Sequence, residues 1–218
     1  MMYHMKNRLM LKKVMLAATL AVTVSACAAN AGSSSGLWND IKNDRASAVT
    51  QALSQGADPN AVNENGELPL IQAVRDQSMG VFDALAADPK TDVNAVNRSG
   101  ETPLMYLAII GDLPRAQKLV ARGAKVNRLG WTPLHYAASK GHTDVVKFLL
   151  GKGAYPNAPA PDGSSPLLMA VTSKNADTVR ALVAAGADPR AINQKNVSAL
   201  DMARKIGNAE VLSALGTK

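Results

Sequence analysis

One pattern returns along this chain at nearly constant spacing. A tripeptide ending in Leu occurs as LPL at 68–70, TPL at 102–104, TPL at 132–134, SPL at 165–167 and SAL at 198–200, in steps of 34, 30, 33 and 33 residues. A second landmark precedes each: GADPN at 56–60, KTDVN at 90–94, GAKVN at 123–127, GAYPN at 153–157 and GADPR at 186–190. A period of this length means small units stacked in a row, each unable to bury its apolar face without a neighbour.

The copy from Trp131 to Asn157 shows what one unit contains. Thr132 suits a helix N-cap and Pro133 the first helical position, where its missing N–H costs nothing. Leu134, Ala137 and Ala138 give a first helix with a small-residue face, and Gly141-His142 makes a turn. Val145, Val146, Leu149 and Leu150 then form the apolar stripe of a second helix, which Gly153 ends in the left-handed conformation. A polar finger rich in Asn, Asp and Gly leads to the next copy. With 47% hydrophobic but only 4% aromatic residues, the core is one of closely packed helices, not a β-sandwich.

The other copies align. Leu70 opens a pair whose second stripe is Val81, Phe82 and Leu85; Leu104 does so with Ala116, Leu119 and Val120, and Leu167 with Val179, Leu182 and Val183. Leu37 heads a degenerate copy with Ala48, Val49 and Leu53, ending at Gly56, and Leu200 begins a short one with Val211, Leu212 and Leu215. That makes six units, four internal and two caps. Two irregularities stand out. LAADPKTDVN has one extra residue and places Pro89 in a longer loop, whereas VNRLGWTPL is three residues short, so its finger should be clipped.

The T-P-L-H at 132–135, the G-A-D-P-N at 56–60 and the period of about 33 together resemble the ankyrin repeat family over residues 37–218. The resemblance implies an all-α solenoid of about six helix-turn-helix units with short β-hairpin-like fingers, capped by 37–66 and 198–218. It also implies a monomer that binds another protein through a concave face lined by fingers and first helices, with no catalysis and no cofactor. The family's variable helix positions fall on Arg75 and Asp76, Ile109 and Ile110, Ser139 and Lys140, and Thr172 and Ser173. Its finger positions fall on Glu67, Glu101, Trp131, Ser164 and Val197, with Arg98 and Arg128 nearby.

From these positions the expected partner-binding residues are Trp131, Ile109 and Ile110 at the centre, with Arg75, Asp76, Arg98, Glu101, Arg128 and Lys140 as a charged rim. Aliphatic side chains at 109 and 110 replace residues usually polar in the family, and Trp is over-represented in binding hot spots. The competing reading folds the short finger down, so that Trp131 covers the isoleucines as local core. A rim of both signs suits a protein partner better than a polyanion, though an ordinary solvated surface has the same composition.

Before residue 27 the chain carries Lys6, Arg8, Lys12 and Lys13 and no acid, and residues 14–26, VMLAATLAVTVSA, are apolar or small. That run is short for a bilayer span of about 20 residues and fits a signal-peptide core, so 1–26 reads as a signal peptide. The only cysteine, Cys27, closes the sequence Val24-Ser25-Ala26-Cys27. This resembles a bacterial lipobox, which implies lipidation of Cys27, membrane attachment through that anchor, and a flexible tether over 27–36. Ala28 in the next position resembles the pattern for outer-membrane sorting. Ordinary cleavage at Ala26-Cys27-Ala28 or Ala29-Asn30-Ala31 is the alternative. Both place the protein outside the cytoplasm, in the periplasm, where it would serve as an envelope scaffold or adaptor; an immunity or inhibitor protein for a secreted or periplasmic toxin is the other reading.

Chemistry is sparse. Without those four basic residues the remaining 20 face 17 acids, which removes the case for nucleic-acid binding. His135 and His142 sit at structural positions of the repeat, and no His, Cys or carboxylate cluster has metal-ligand spacing. Ser139 lies one turn from His135 but lacks a carboxylate orienter. Asp58, Asn60, Asp92, Asn94, Asp188 and Asn193 recur too widely for a calcium loop and read as turn formers. If Cys27 is the lipidation site, palmitate label incorporated by growing cells stays with the wild-type protein and is lost in Cys27→Ser; equal labelling of both would refute the anchor.

Overall fold

A computed structural model describes residues 34–216, so the signal-peptide reading, Cys27 and most of the tether lie outside the described residues. Within them the chain forms six helix pairs: α1 Ser34–Lys42 with α2 Ala46–Ser54, α3 Pro69–Arg75 with α4 Met79–Ala87, and α5 Pro103–Ile110 with α6 Leu113–Ala121. Then follow α7 Pro133–Lys140 with α8 Thr143–Gly151, α9 Pro166–Ser173 with α10 Ala176–Ala184, and α11 Ala199–Ile206 with α12 Ala209–Ala214. First helices pack on first helices in one row, from α1 through α11, and second helices form the other row. No strand forms among the described residues, and the one isolated bridge joins Ile192 to Ser198.

The local signals act as the chemistry requires. Thr102 caps α5 by accepting the Met105 N–H, and Ser165 caps α9 by accepting that of Leu168. Pro103, Pro133 and Pro166 each occupy the first turn. Leu104, Leu134 and Leu167 are fully covered, as are Leu85, Leu119, Leu149 and Leu182 on the second helices. Burial of one such leucine contributes about 2–3 kcal/mol, so this double stack holds the array together.

A separate ladder sets the register. Asn60 donates its amide to the Lys90 carbonyl at 2.8 Å and accepts the Asp92 N–H at 2.8 Å. Asn94 does the same to Gly123 and Lys125, Asn127 to Gly153 and Tyr155, and Asn157 to Gly186 and Asp188. Asp58, Asp92, Asp188 and Asn193 are turn formers, as expected, each accepting the N–H two residues on; Asn60 and Asn94 are not, because their amides span to the next unit's loop instead. Four fingers close by a backbone bond from Asn63 to Glu67, Asn97 to Glu101, Ala160 to Ser164 and Asn193 to Val197, each with a second backbone bond across its turn. No such bond closes the stretch from Asn127 to Trp131, the finger three residues short.

Two details differ from the sequence reading. The first helix starts at Ser34, inside the stretch assigned to the tether, because an extra turn supports the i, i+4 pair Leu37 and Ile41, both buried. The insertion at Pro89 does more than lengthen a loop. The second helices of other internal units are followed by Gly123, Gly153 and Gly186 at positive φ, but α4 ends on Asp88 in an extended conformation. Thr91 reaches back to the Leu85 carbonyl at 2.7 Å, and Arg122 of the next unit donates to the carbonyls of Ala86, Asp88 and Thr91. Here α4 and α6 are not closely packed, and Arg115 bridges them by binding Asp83 at 2.7 Å and Asp112 at 2.8 Å.

The turn between paired helices is left-handed at Gly111, Gly141 and Gly207 but also at Asp44, Gln77 and Lys174, the last with φ of 60°. A side chain there costs about 1 kcal/mol. Lys174→Gly should therefore raise Tm by about 2–4 °C. Gly111→Ala should destabilise more than Gly207→Ala, because its Cβ would lie 2.6 Å from the His142 ring while position 207 is open. Thermal melts giving equal losses at 111 and 207 would contradict this account.

Candidate functional site

The fingers and first helices enclose three hollows that run end to end. The first, of about 460 Å³, is walled by Glu67, Arg75, Arg98, Glu101 and Tyr106, among others. Glu101 also borders the second, of about 360 Å³, with Arg128, Trp131 and Tyr136. Trp131 and Tyr136 continue into the third, of about 300 Å³, with Ile109, Lys140 and Met169. Six expected contact residues, Arg75, Arg98, Glu101, Arg128, Lys140 and Ile109, thus share one groove with Trp131. Asp76 and Ile110 stay outside it; Asp76 accepts from Gln72 at 2.8 Å at the end of α3.

Glu101 is the hinge of the groove. Its carboxylate accepts the Tyr106 hydroxyl at 2.6 Å and the Tyr136 hydroxyl at 2.7 Å, from equivalent positions of successive first helices. Asn97 adds an amide donor at 3.2 Å. Burial pushes Glu101 upward, but these three bonds and the Arg75 charge outweigh it, so the carboxyl lies below its ordinary 4.5. The reverse holds for its partners. Burial, then the bond to Glu101, lifts Tyr106 to about 12, and the same causes raise Tyr136. Both hydroxyls therefore stay protonated and act as donors over the physiological range.

Glu67 is 5% exposed and serves the chain itself, accepting Arg75 at 2.8 Å and the Leu68 N–H at 3.1 Å. Arg98 lies across the preceding finger, where a Cβ on Gly66 would meet its side chain at 3.1 Å. Arg128 repeats the arrangement one unit on and donates to the Gly100 carbonyl. The lattice of fingers is thus held by each arginine resting on the glycine turn before it.

Trp131 is 37% exposed and packs edge-on against His135 and Tyr136, with ring centroids 5.3 and 6.3 Å away. Ile110 is 45% exposed and Ile109 half-buried. The short finger therefore does not seal the isoleucines into core. Trp131 leans on the ring of its own helix and leaves an apolar hollow open between itself, Ile109 and Met169.

The histidines are structural. His135 is buried; its Nδ1 accepts the Thr132 N–H at 3.2 Å, and Nε2–H donates to the Ser164 carbonyl at 3.1 Å in the following finger. His142 reaches the Ile109 carbonyl through Nε2 at 3.1 Å. Ser139 donates to the Tyr136 carbonyl at 2.8 Å and faces no base. Among the described residues no group of three or more His, Cys, Asp or Glu side chains could hold a metal ion, and no helix is long and apolar enough to cross a membrane. The sequence reading missed Tyr106, Tyr136 and Met169 as groove residues. Their common place, two residues after each Leu of the tripeptide, was the available signal.

Burial lowers the His135 pKa below its ordinary 6.5. A group depressed in the folded state contributes stability above its unfolded pKa and loses it as pH falls toward the folded value. Urea unfolding should give constant stability from pH 8 to 7 and a decline below 6.5, while His135→Gln should flatten that decline. The Glu101 contribution falls in a separate window, below 4.5. An unchanged slope in His135→Gln would refute the assignment.

Comparison with known proteins follows the same geometry. A family model described as ankyrin repeats (3 copies) matches residues 37–129 and 80–160, and one described as ankyrin repeat matches 162–194. The crystal structure of an ankyrin repeat domain from Acinetobacter baumannii AYE is similar, with a TM-score of 0.74 and 28% identity, covering 85% of this chain and all of that one. The human ASB11 ankyrin repeat domain is similar too, with a TM-score of 0.72 and 26% identity, over 83% of this chain and 81% of that one. No curated protein sequence matches.

Proposed function

Because this chain belongs to the ankyrin repeat family, we propose that it is a non-catalytic module that binds a protein partner through the groove between its fingers and first helices. Ankyrin repeats generally mediate protein–protein interaction, and their fold is typically a non-catalytic interaction scaffold. One observation carries the assignment of the surface: Trp131 stays 37% exposed and, with Ile109, Lys140 and Met169, lines an open apolar hollow of the groove. Aromatic and aliphatic side chains left open beside a preformed groove suit a rigid contact surface. The chain acts as a monomer in this reading, since each unit already has its neighbours and the caps close both ends of the stack.

The same proposal sets the protein in the cell envelope, exported and held to the outer membrane through Cys27. The basic and apolar stretches of residues 1–26 and the lone cysteine support that placement. In that setting the partner is an envelope protein that the module holds or protects. Crosslinking in intact cells followed by mass spectrometry should recover one dominant protein partner. That product should fall by at least about tenfold in Trp131→Ala and Lys140→Glu, with Tm within a few degrees of wild type. Crosslinks that persist in both variants would refute the surface. A crosslinked partner that is a toxin encoded beside this gene would replace the scaffold reading with an immunity role.

A further inference from the structure

We infer that the groove selects an extended protein segment bearing a carboxylate and, about three residues away, an aromatic or aliphatic side chain. This rests on the reading of the groove as the partner-binding surface and adds the chemistry of what it takes.

The walls of the three hollows carry four cations, Arg75, Arg98, Arg128 and Lys140, against two carboxylates, Glu67 and Glu101. The two signs are not equally available to a visitor. Glu67 is buried and already accepts Arg75 and a backbone N–H. Glu101 already accepts two tyrosine hydroxyls and an asparagine amide. Three of the four cations are the reverse, Arg75 being held by Glu67. The side chains of Arg98 and Lys140 have no hydrogen bond or ion pair among the described residues. Arg128 gives one N–H to a neutral carbonyl and forms no ion pair among the described residues. A segment entering the groove meets spare donors and positive charge, and its own carboxylate is the group that satisfies both.

At the other end the demand changes. Ile109, Trp131 and Met169 enclose an apolar hollow, open to solvent, with Lys140 on its edge. An aromatic or branched aliphatic side chain removes that surface from water without leaving a polar group unpaired. The spacing follows from the architecture. Arg98 and Trp131 stand on successive fingers, so they are one unit apart. Packed helices lie about 10 Å apart, and extended chain advances about 3.3 Å per residue, which gives about three residues between carboxylate and apolar group.

The test is selection of random dodecapeptides displayed on phage against the chain from residue 28 to 218, followed by fluorescence anisotropy of the enriched peptides. The expected result is enrichment of Asp or Glu about three positions from Trp, Phe, Leu or Ile. Affinity should then fall by about tenfold in Arg98→Glu, by less in Arg98→Gln, and recover in Arg98→Glu when the peptide's acid is changed to Lys. Enriched peptides that are basic or uncharged, or affinities indifferent to Arg98, would overturn the inference. If such peptides are still lost in Trp131→Ala, the groove binds protein and only its chemistry is refuted. Peptides that survive Trp131→Ala would refute the groove itself. Absence of any enrichment would overturn the peptide chemistry and leave the crosslinking result to decide the surface.

Discussion

Each helix pair in this array has apolar faces that only another helix pair can cover. The leucines of the tripeptides and of the second helices form two continuous stacks, and each owes its burial to the units on either side. A net hydrogen bond contributes about 1 kcal/mol, less than one buried leucine, so the asparagine ladder is not what makes the units cohere. It sets how they are aligned. A carboxamide that both donates to and accepts from the next loop permits one offset and one spacing. The regular period in the sequence is the trace of that alignment, since a slip would unpair the amide and misplace the leucine together.

The groove inherits its geometry from this repetition and its chemistry from the departures. At equivalent positions the first helices carry Gln72, Tyr106, Tyr136, Met169 and Met202, a passage from polar through amphipathic to apolar. The finger positions pass from Glu67 and Glu101 to Trp131, Ser164 and Val197. The two series change together, so one surface has an ionic end and a greasy end without any change of backbone. The clipped finger marks the border. Three fewer residues remove the closing backbone bond and leave Trp131 beside the end of α5.

Most of the fold was legible because its signals are local. Thr, Pro and Leu at fixed offsets begin the first helices, valine and leucine stripes define the second, and asparagines mark the loops. What could not be read joins residues of different units. The sequence carries no sign that Tyr106 and Tyr136 share one carboxylate, since Tyr136 lies 35 residues from Glu101. Nor does it show that Arg122 caps a helix 36 residues upstream. The early start of α1 escaped notice for another reason: AGSSSG has the composition of a linker, and only packing of Leu37 and Ile41 reveals that its end is helical. Whether Trp131 is covered or open depends on a finger too short to close, which composition does not report.

The joint between α4 and α6 sets this molecule apart from a uniform stack. The α4 and α6 backbones approach less closely than other neighbouring second helices; Arg115 and Arg122 span the interval beside the buried Leu85 and Leu119, and among the described residues the Arg115 Nε is enclosed without an acceptor. In a one-dimensional array, resilience is governed by the poorest coupling between neighbours. Salt screens the ion pair between Arg115 and Asp83 but not the bonds from Arg122 to neutral carbonyls or the buried aliphatic contacts, so ionic strength acts on one part of this seam. The seam divides the array into a two-unit leading segment and a four-unit trailing segment that carries most of the groove.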